Sequence, residues 1–331
     1  MRTLHGKRPL LTLGGLALLC LALASWALAN GSMALSLGQV LDALRGLAPH
    51  GPQMIVTQWR LPRVVTALVL GAALAVSGMI FQSLMRNPLG SPDIMGFNTG
   101  AYSGVLVALV LFHGSTLGTA SAALIGGLLT AVVVYRLAWR NGVSTLRLII
   151  IALGVRAMLV SFNTWIVVNG SLEATLSAGL WNAGTLNGIT WGKALPALLC
   201  IAVAMVLSLA LSLRMRLLEM GDDTANALGV PVERSRLLLL SLGVVLTAAS
   251  TAVAGPISFL ALAAPQIARR LSPSQHLTMP MAALTGAALL LAADLAAQRL
   301  FLPYQLHVGL ITVSLGGLYL LGLLIRETRK R

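Results

Sequence analysis

Arg156 and Asn163 lie about two helical turns apart inside "LIIIALGVRAMLVSFNTWIV", a run with no other charge. An arginine within so apolar a stretch is costly unless it faces protein or a water-filled path. Two chemistries follow. The guanidinium, with the Asn163 amide beside it, draws an anion into a pathway, or it serves the fold by bonding backbone carbonyls or Asp294. Asp294, near the end of its own apolar run, is the kind of acid that relays protons in gradient-driven carriers. Covalent chemistry finds no support: there is no H-E-x-x-H and no cluster of Ser, His and Asp. None of the three lysines sits in G-x-x-x-x-G-K-[ST], so ATP has no phosphate loop on this chain. His5, His50, His113, His276 and His307 lack ligand spacing, and Cys20 and Cys200 fall inside apolar runs, so no metal site is expected.

Three further stretches carry polar residues in telling places. "RLPR" puts Arg60 and Arg63 just before an apolar run, where snorkelling to headgroups is the simplest use. "RMRLLEMGDDTANALGVPVERSR", residues 214–236, holds a two-turn helix that Asp222 or Asp223 caps and Gly229 closes in the left-handed conformation. So short a helix needs a partner surface. "RNPLGSPDIMGFNTGAYSG" ends one helix at Pro88 and starts another, with Ser91 as N-cap, Pro92 at the first position and Asp93 in the first turn. Gly96, Gly100 and Gly104 then share one helix face and form a packing seam.

The elements that must position these residues are membrane helices. The chain of 331 residues is 57% hydrophobic and 10% charged, with mean hydropathy +0.88. A soluble domain carries about 25% charged residues. Long charge-free gaps, such as Arg8 to Asp42, Arg63 to Arg86 and Arg299 to Arg326, each hold a run of about 20 apolar residues. Ten spans are predicted, at roughly 10–29, 64–85, 93–111, 118–138, 146–168, 194–213, 234–253, 256–270, 277–296 and 307–326. Ala27-Leu28-Ala29 imitates a cleavage site, but the apolar stretch is longer than a signal core, so an uncleaved first helix is expected. With both termini in the cytoplasm, seventeen of the 23 Lys and Arg residues fall inside, among them Arg2 and Arg329, Lys330 and Arg331 of the tail. Five fall outside, and Arg156 lies in a span. The net charge of +14 is thus a topology signal at helix ends, and nucleic acid is not a partner. A faint likeness between "LGAALAVSGMIFQ" and "LGVVLTAASTAVAGPISF" hints at two inverted halves five spans apart. The fold class expected is an all-α polytopic membrane protein, a single transmembrane domain over 1–331.

Residues 59–104, from "WRLPRVV" to "NTGAYSG", resemble the permease subunits of iron-siderophore and vitamin B12 ABC importers. The likeness continues through "RLLEMGDDTANALGV", "AGPISFLALAAPQIARR" and "LPYQLHVGLITVSLGGLYL", nearly the whole chain, and is nearest to the ferric-enterobactin permeases. It implies ten transmembrane helices in inverted halves, and a ferric siderophore as cargo, with a catecholate chelate first and vitamin B12 behind. The implied partners are a sister permease, two ATP-binding subunits holding ATP and Mg, a periplasmic siderophore-binding protein and membrane lipid, and no cofactor on this chain. It also implies that 214–236 couples to the ATPase through Gly221, Asp222, Ala225, Leu228 and Gly229. Arg60, Arg63 and Arg299 would meet acids of the binding protein, with Gln298 an alternative counterpart for Arg299. Arg156 and Asn163 would line the translocation path. Where the family pattern has histidine after the second proline of "AGPISFLALAAPQ", this chain has Gln266. A gradient-driven carrier remains the rival class.

Overall fold

With charges confined to the ends of apolar runs, every backbone group inside a run needs an internal partner, and helices supply it. The computed structural model describes residues 4–31, 33–112, 116–140, 145–272 and 278–328. Arg2, His113, His276 and the tail residues Arg329, Lys330 and Arg331 lie outside the described residues. The helices are α1 (Leu4–Ala29), α2 (Leu37–Leu44), α3 (His50–Met54), α4 (Leu61–Met85), α5 (Phe97–Leu106), α6 (Thr116–Ala138), α7 (Thr145–Asn169) and α8 (Leu172–Asn182). They continue as α9 (Trp191–Ala210), α10 (Ser212–Glu219), α11 (Asp222–Ala227), α12 (Val232–Ala254), α13 (Leu260–Leu271), α14 (Met279–Arg299) and α15 (Val308–Thr328). A π-helical turn, Ile55–Arg60, joins α3 to α4, and another, Val107–Leu111, extends α5.

Among the described residues, seven helical segments are long and apolar enough to cross a bilayer, and the shorter apolar stretches Phe97–Val110 and Val308–Gly322 accompany them. Two expected spans begin late. The helix expected from 93 starts at Phe97, with Gly96 at φ +79° as its N-cap. Ser91, Pro92 and Asp93 therefore neither cap nor begin it, because Asp93 is drawn into a distant contact described below. The helix expected from 256 starts at Leu260, after Phe259 at φ +67°. The short helices α2, α8 and α10 were not anticipated. For α2 the signal was present: Ser36 and Gln39 form a reciprocal capping box.

α4 is the axis of the bundle. The helical segment His50–Met85 that ends in α4 is mostly buried, whereas α7 and α1 are mostly uncovered and lie on the periphery. Small residues let neighbours approach it. A Cβ on Gly71 would lie 2.4 Å from the Gly286 carbonyl of α14, and one on Gly78 would lie 1.7 Å from the Ala261 carbonyl of α13. The α5–α6 pair packs in the same way. A Cβ on Gly100 would meet Thr130 Oγ1 at 1.9 Å, and one on Gly104 the Ala122 carbonyl at 2.1 Å. Gly96, at the helix start, faces Arg156 of α7 instead.

Candidate functional site

Two stretches of non-helical backbone, 86–96 and 255–259, meet within the helical bundle. Broken helices of this kind need polar partners or a wet cavity, since lipid offers no hydrogen bonds. Both are present. Asp93 Oδ2 accepts from the Phe259 backbone N–H at 3.2 Å, and its Oδ1 accepts from Asn98 Nδ2 at 2.5 Å. Asn98 Oδ1 in turn accepts from Thr251 Oγ1 of α12 at 3.1 Å. Beside this network lies a cavity of about 490 Å³, lined by Asp93, Asn98, Thr99, Arg156, Asn163 and Asn182 among others.

Arg156 and Asn163 are thus brought together on one cavity wall, as their spacing suggested. Asn163 is 6% exposed; its amide N–H bonds the Thr99 carbonyl at 3.4 Å, and its Oδ1 is buried without a partner among the described residues. Arg156 is exposed and belongs to none of the described ion pairs. Asp294 is not its partner. With the Asp93 carboxylate already engaged by the Phe259 N–H and Asn98, the fixed cation, amides and hydroxyls around the cavity suit a polar anionic ligand. The place of Asp93 in the cavity lining was missed by sequence reasoning. Its signal was an acid placed in a Gly/Pro-rich interruption between apolar runs.

A second cluster sits at the end of the bundle that carries residues 214–236. Gly221, at φ +117°, is the N-cap of α11, and Gly229, at φ +78°, closes it. Val230 N–H bonds the Ala225 carbonyl at 3.0 Å and Gly229 N–H the Asn226 carbonyl at 2.9 Å, the paired bonds of a glycine-terminated helix. Ala225 is fully buried, whereas Leu228 is 58% exposed. Neither Asp222 nor Asp223 caps the helix. Asp222 is claimed by two arginines instead: Arg236 Nη2 donates to both its oxygens at 2.9 and 2.8 Å, and Arg86 Nη2 donates to Oδ1 at 2.5 Å. Arg86 also bonds the Leu218 carbonyl through Nε and Nη2, at 3.2 and 3.0 Å. Partial burial alone would raise the Asp222 carboxyl, but the Arg236 hydrogen bonds and the charges of Arg236 and Arg86 outweigh it and hold it below the usual carboxylate range.

The opposite end holds Arg60, Arg63 and Arg299, and two of the three are committed within the chain. Arg60 donates to the carbonyls of Leu28 at 2.7 Å, Ala29 at 3.3 Å and Met33. Arg63 makes a two-pronged pair with Asp294, both bonds 2.8 Å, and Gln298 Nε2 donates to the same carboxylate at 2.8 Å. The acid a gradient-driven carrier would use is therefore already occupied. Arg299 is exposed and lies over the Trp26 ring, 5.2 Å from its centroid. Gln266 donates to the Pro88 carbonyl at 2.7 Å and accepts from Tyr319 Oη at 3.3 Å.

A profile of the FecCD transport family matches residues 17–326. The chain is 60% identical over 325 residues to the ferric enterobactin transport system permease protein FepG of Escherichia coli (strain K12), covering 98% of each. It is 42% identical over 317 residues to the achromobactin transport system permease protein CbrC of Dickeya dadantii (strain 3937), covering 94% of this chain and 90% of that one. Among solved structures it superimposes on a metal-chelate type ABC transporter in an inward-facing conformation. The TM-score is 0.86 at 28% sequence identity, over 95% of this chain and 98% of that one.

Proposed function

The chain belongs to the FecCD transport family, and from that membership we propose that it is the permease subunit of an ABC importer that moves a ferric siderophore into the cytoplasm. It is a multi-pass protein of the cell inner membrane. The observation that carries the reading is 60% identity over 98% of both chains to a ferric enterobactin permease. Ferric enterobactin or another catecholate chelate is the cargo, and the cavity beside Arg156 and Asn163 is a stage of its path. An anionic chelate entering a low-dielectric passage gains from a fixed cation and from amides that replace lost water. The buried Asn163 Oδ1, without a partner among the described residues, supports a wet path at that point.

Ten crossings complete the architecture, with α5, α13 and α15 joining the seven longer segments and both termini cytoplasmic. The non-helical stretches 86–96 and 255–259 precede α5 and α13, which are five spans apart in the proposed count. Such matched interruptions support halves of inverted topology. On the cytoplasmic side α11 docks to the ATPase subunits, presenting exposed Leu228 while Gly221, Asp222, Ala225 and Gly229 hold its shape. ATP and Mg reside on those subunits, and a sister permease completes the pair. On the periplasmic side Arg299 meets acids of the siderophore-binding protein, while Arg60 and Arg63 brace that face from beneath.

The test is uptake of radiolabelled iron in a strain lacking only this gene, with several chelates compared. Uptake of ferric enterobactin restored by the gene and lost on deleting the partner ATPase fits the proposal. Uptake that survives ATPase deletion and collapses with the uncoupler contradicts it.

A further inference from the structure

Building on the docking of α11 to an ATPase, we propose that segment 86–96 is the strut that carries movement of that helix to the cavity wall, with Arg86 and Asp93 as its positioning residues. The segment is bounded by two left-handed residues, Arg86 at φ +48° and Gly96 at φ +79°. The first is uncommon for a residue with a side chain. It is held by the side chain itself, which grips the Leu218 carbonyl and Asp222. Between those ends the backbone is braced. Pro88 and Pro92 fix their own φ, Leu89 N–H bonds Asn87 Oδ1 at 2.9 Å, and Gly90 N–H bonds the Asn87 carbonyl at 2.9 Å. Further on, Met95 N–H bonds the Pro92 carbonyl at 3.2 Å.

The strut is fastened at three places to three different parts of the molecule. Arg86 fastens it to α10 and α11. The Pro88 carbonyl fastens it to Gln266 of α13, which reaches Tyr319 of α15 through its other end. Asp93 fastens it to the Phe259 N–H and to Asn98, beside the cavity. A short rod stiffened by turns and pinned at both ends moves as a unit. Displacing α11 through Asp222 therefore shifts Asp93 and the start of α13 together.

The complete transporter, reconstituted in proteoliposomes, gives the test: ferric chelate taken up per ATP hydrolysed for wild type, Arg86→Ala, Asp93→Ala and the double variant, using complexes of equal subunit composition. Arg86 and Asp93 share no hydrogen-bond partner given above, so independent effects multiply. A single strut predicts a roughly 10-fold fall for each single variant and the same roughly 10-fold fall, not roughly 100-fold, for the double. Arg86→Lys, which keeps a cation near Asp222, recovers part of the ratio. Should the alanine variants fail to assemble, Arg86→Lys and Asp93→Asn are compared by the same criterion. A wild-type ratio in either single variant, or multiplying losses in the double, overturns the strut. Wild-type complex that takes up chelate without consuming ATP removes the docking premise first, and that result is visible before any variant is made.

Discussion

The Arg63–Asp294 pair separates a structural arginine from a docking one. Its side chains are 18% and 2% exposed, joined by two bonds of 2.8 Å and backed by Gln298. Removing one partner of such a pair strands a buried charge, which costs about 3–5 kcal/mol. Replacing both partners with apolar groups of similar volume is often neutral or better, because no charge then needs desolvating. Asp294→Ala should therefore lower the melting temperature of the purified protein by roughly 6–10 °C, taking about 2 °C per kcal/mol for a large chain. The double variant Arg63→Met, Asp294→Leu should melt within about 2 °C of wild type by the same conversion. Differential scanning fluorimetry in detergent reads both. Uptake adds the functional arm: if Arg63 only braces the fold, the stable double variant transports ferric siderophore at the wild-type rate. A double variant that melts normally yet loses uptake refutes the bracing role. A single variant that melts like wild type refutes the burial argument.

Arg156→Gln should cut uptake of an anionic ferric chelate by roughly 10-fold at normal expression, the effect of losing about 1.4 kcal/mol of charge attraction; uptake assays against a neutral chelate decide whether charge is responsible. Gly100→Ala drives a methyl to within 1.9 Å of Thr130 Oγ1 and should cost about 1–3 kcal/mol. Gly15→Ala meets nothing within 4 Å and should be neutral or stabilising by up to about 1 kcal/mol, so thermal melts of the two must diverge. Gly229→Ala also has open space for its methyl, so its cost of about 1–2 kcal/mol comes from φ +78°. Reduced co-purification with the ATPase is the expected readout. Because Asp222 is held below its ordinary value, the clamp's contribution is complete above pH about 4 and fades only as pH falls through the lowered value. ATP-driven uptake should therefore show no loss traceable to Asp222 between pH 8 and pH 5, a claim that a pH series of Asp222→Asn against wild type checks.

Much of the scaffold could be read from where charges are missing. The gaps between arginines located the long helices because lipid excludes ionised groups wherever they lack partners. Gly229 was legible for a local reason, since a left-handed closing residue is written in one position. What stayed hidden depends on contacts between distant positions. Ser91, Pro92 and Asp93 carry every local mark of a helix start, yet Asp93 bonds a backbone N–H 166 residues away and the helix begins at Phe97. Asp222 likewise has the form of a cap until Arg86, 136 residues earlier, competes for it. Arg63 at the membrane edge resembled a headgroup ligand because nothing local reveals Asp294, 231 residues on. Arg156 and Asn163 needed only helical spacing to be paired, and that pairing is visible without any tertiary information.

The π-helical turn at Ile55–Arg60 acts as a phase adjuster. One residue more than an α-helix needs is wound into that turn, and Trp191 Nε1 donates to the Thr57 carbonyl within it, at 2.9 Å. Excising a single residue there would restore ordinary winding and leave the segments on either side in nearly their present phase, because the wide turn absorbs about the 100° that one added residue would otherwise introduce. What excision would disturb is the Thr57 carbonyl, so the extra residue fixes a contact between this turn and Trp191 at the start of α9.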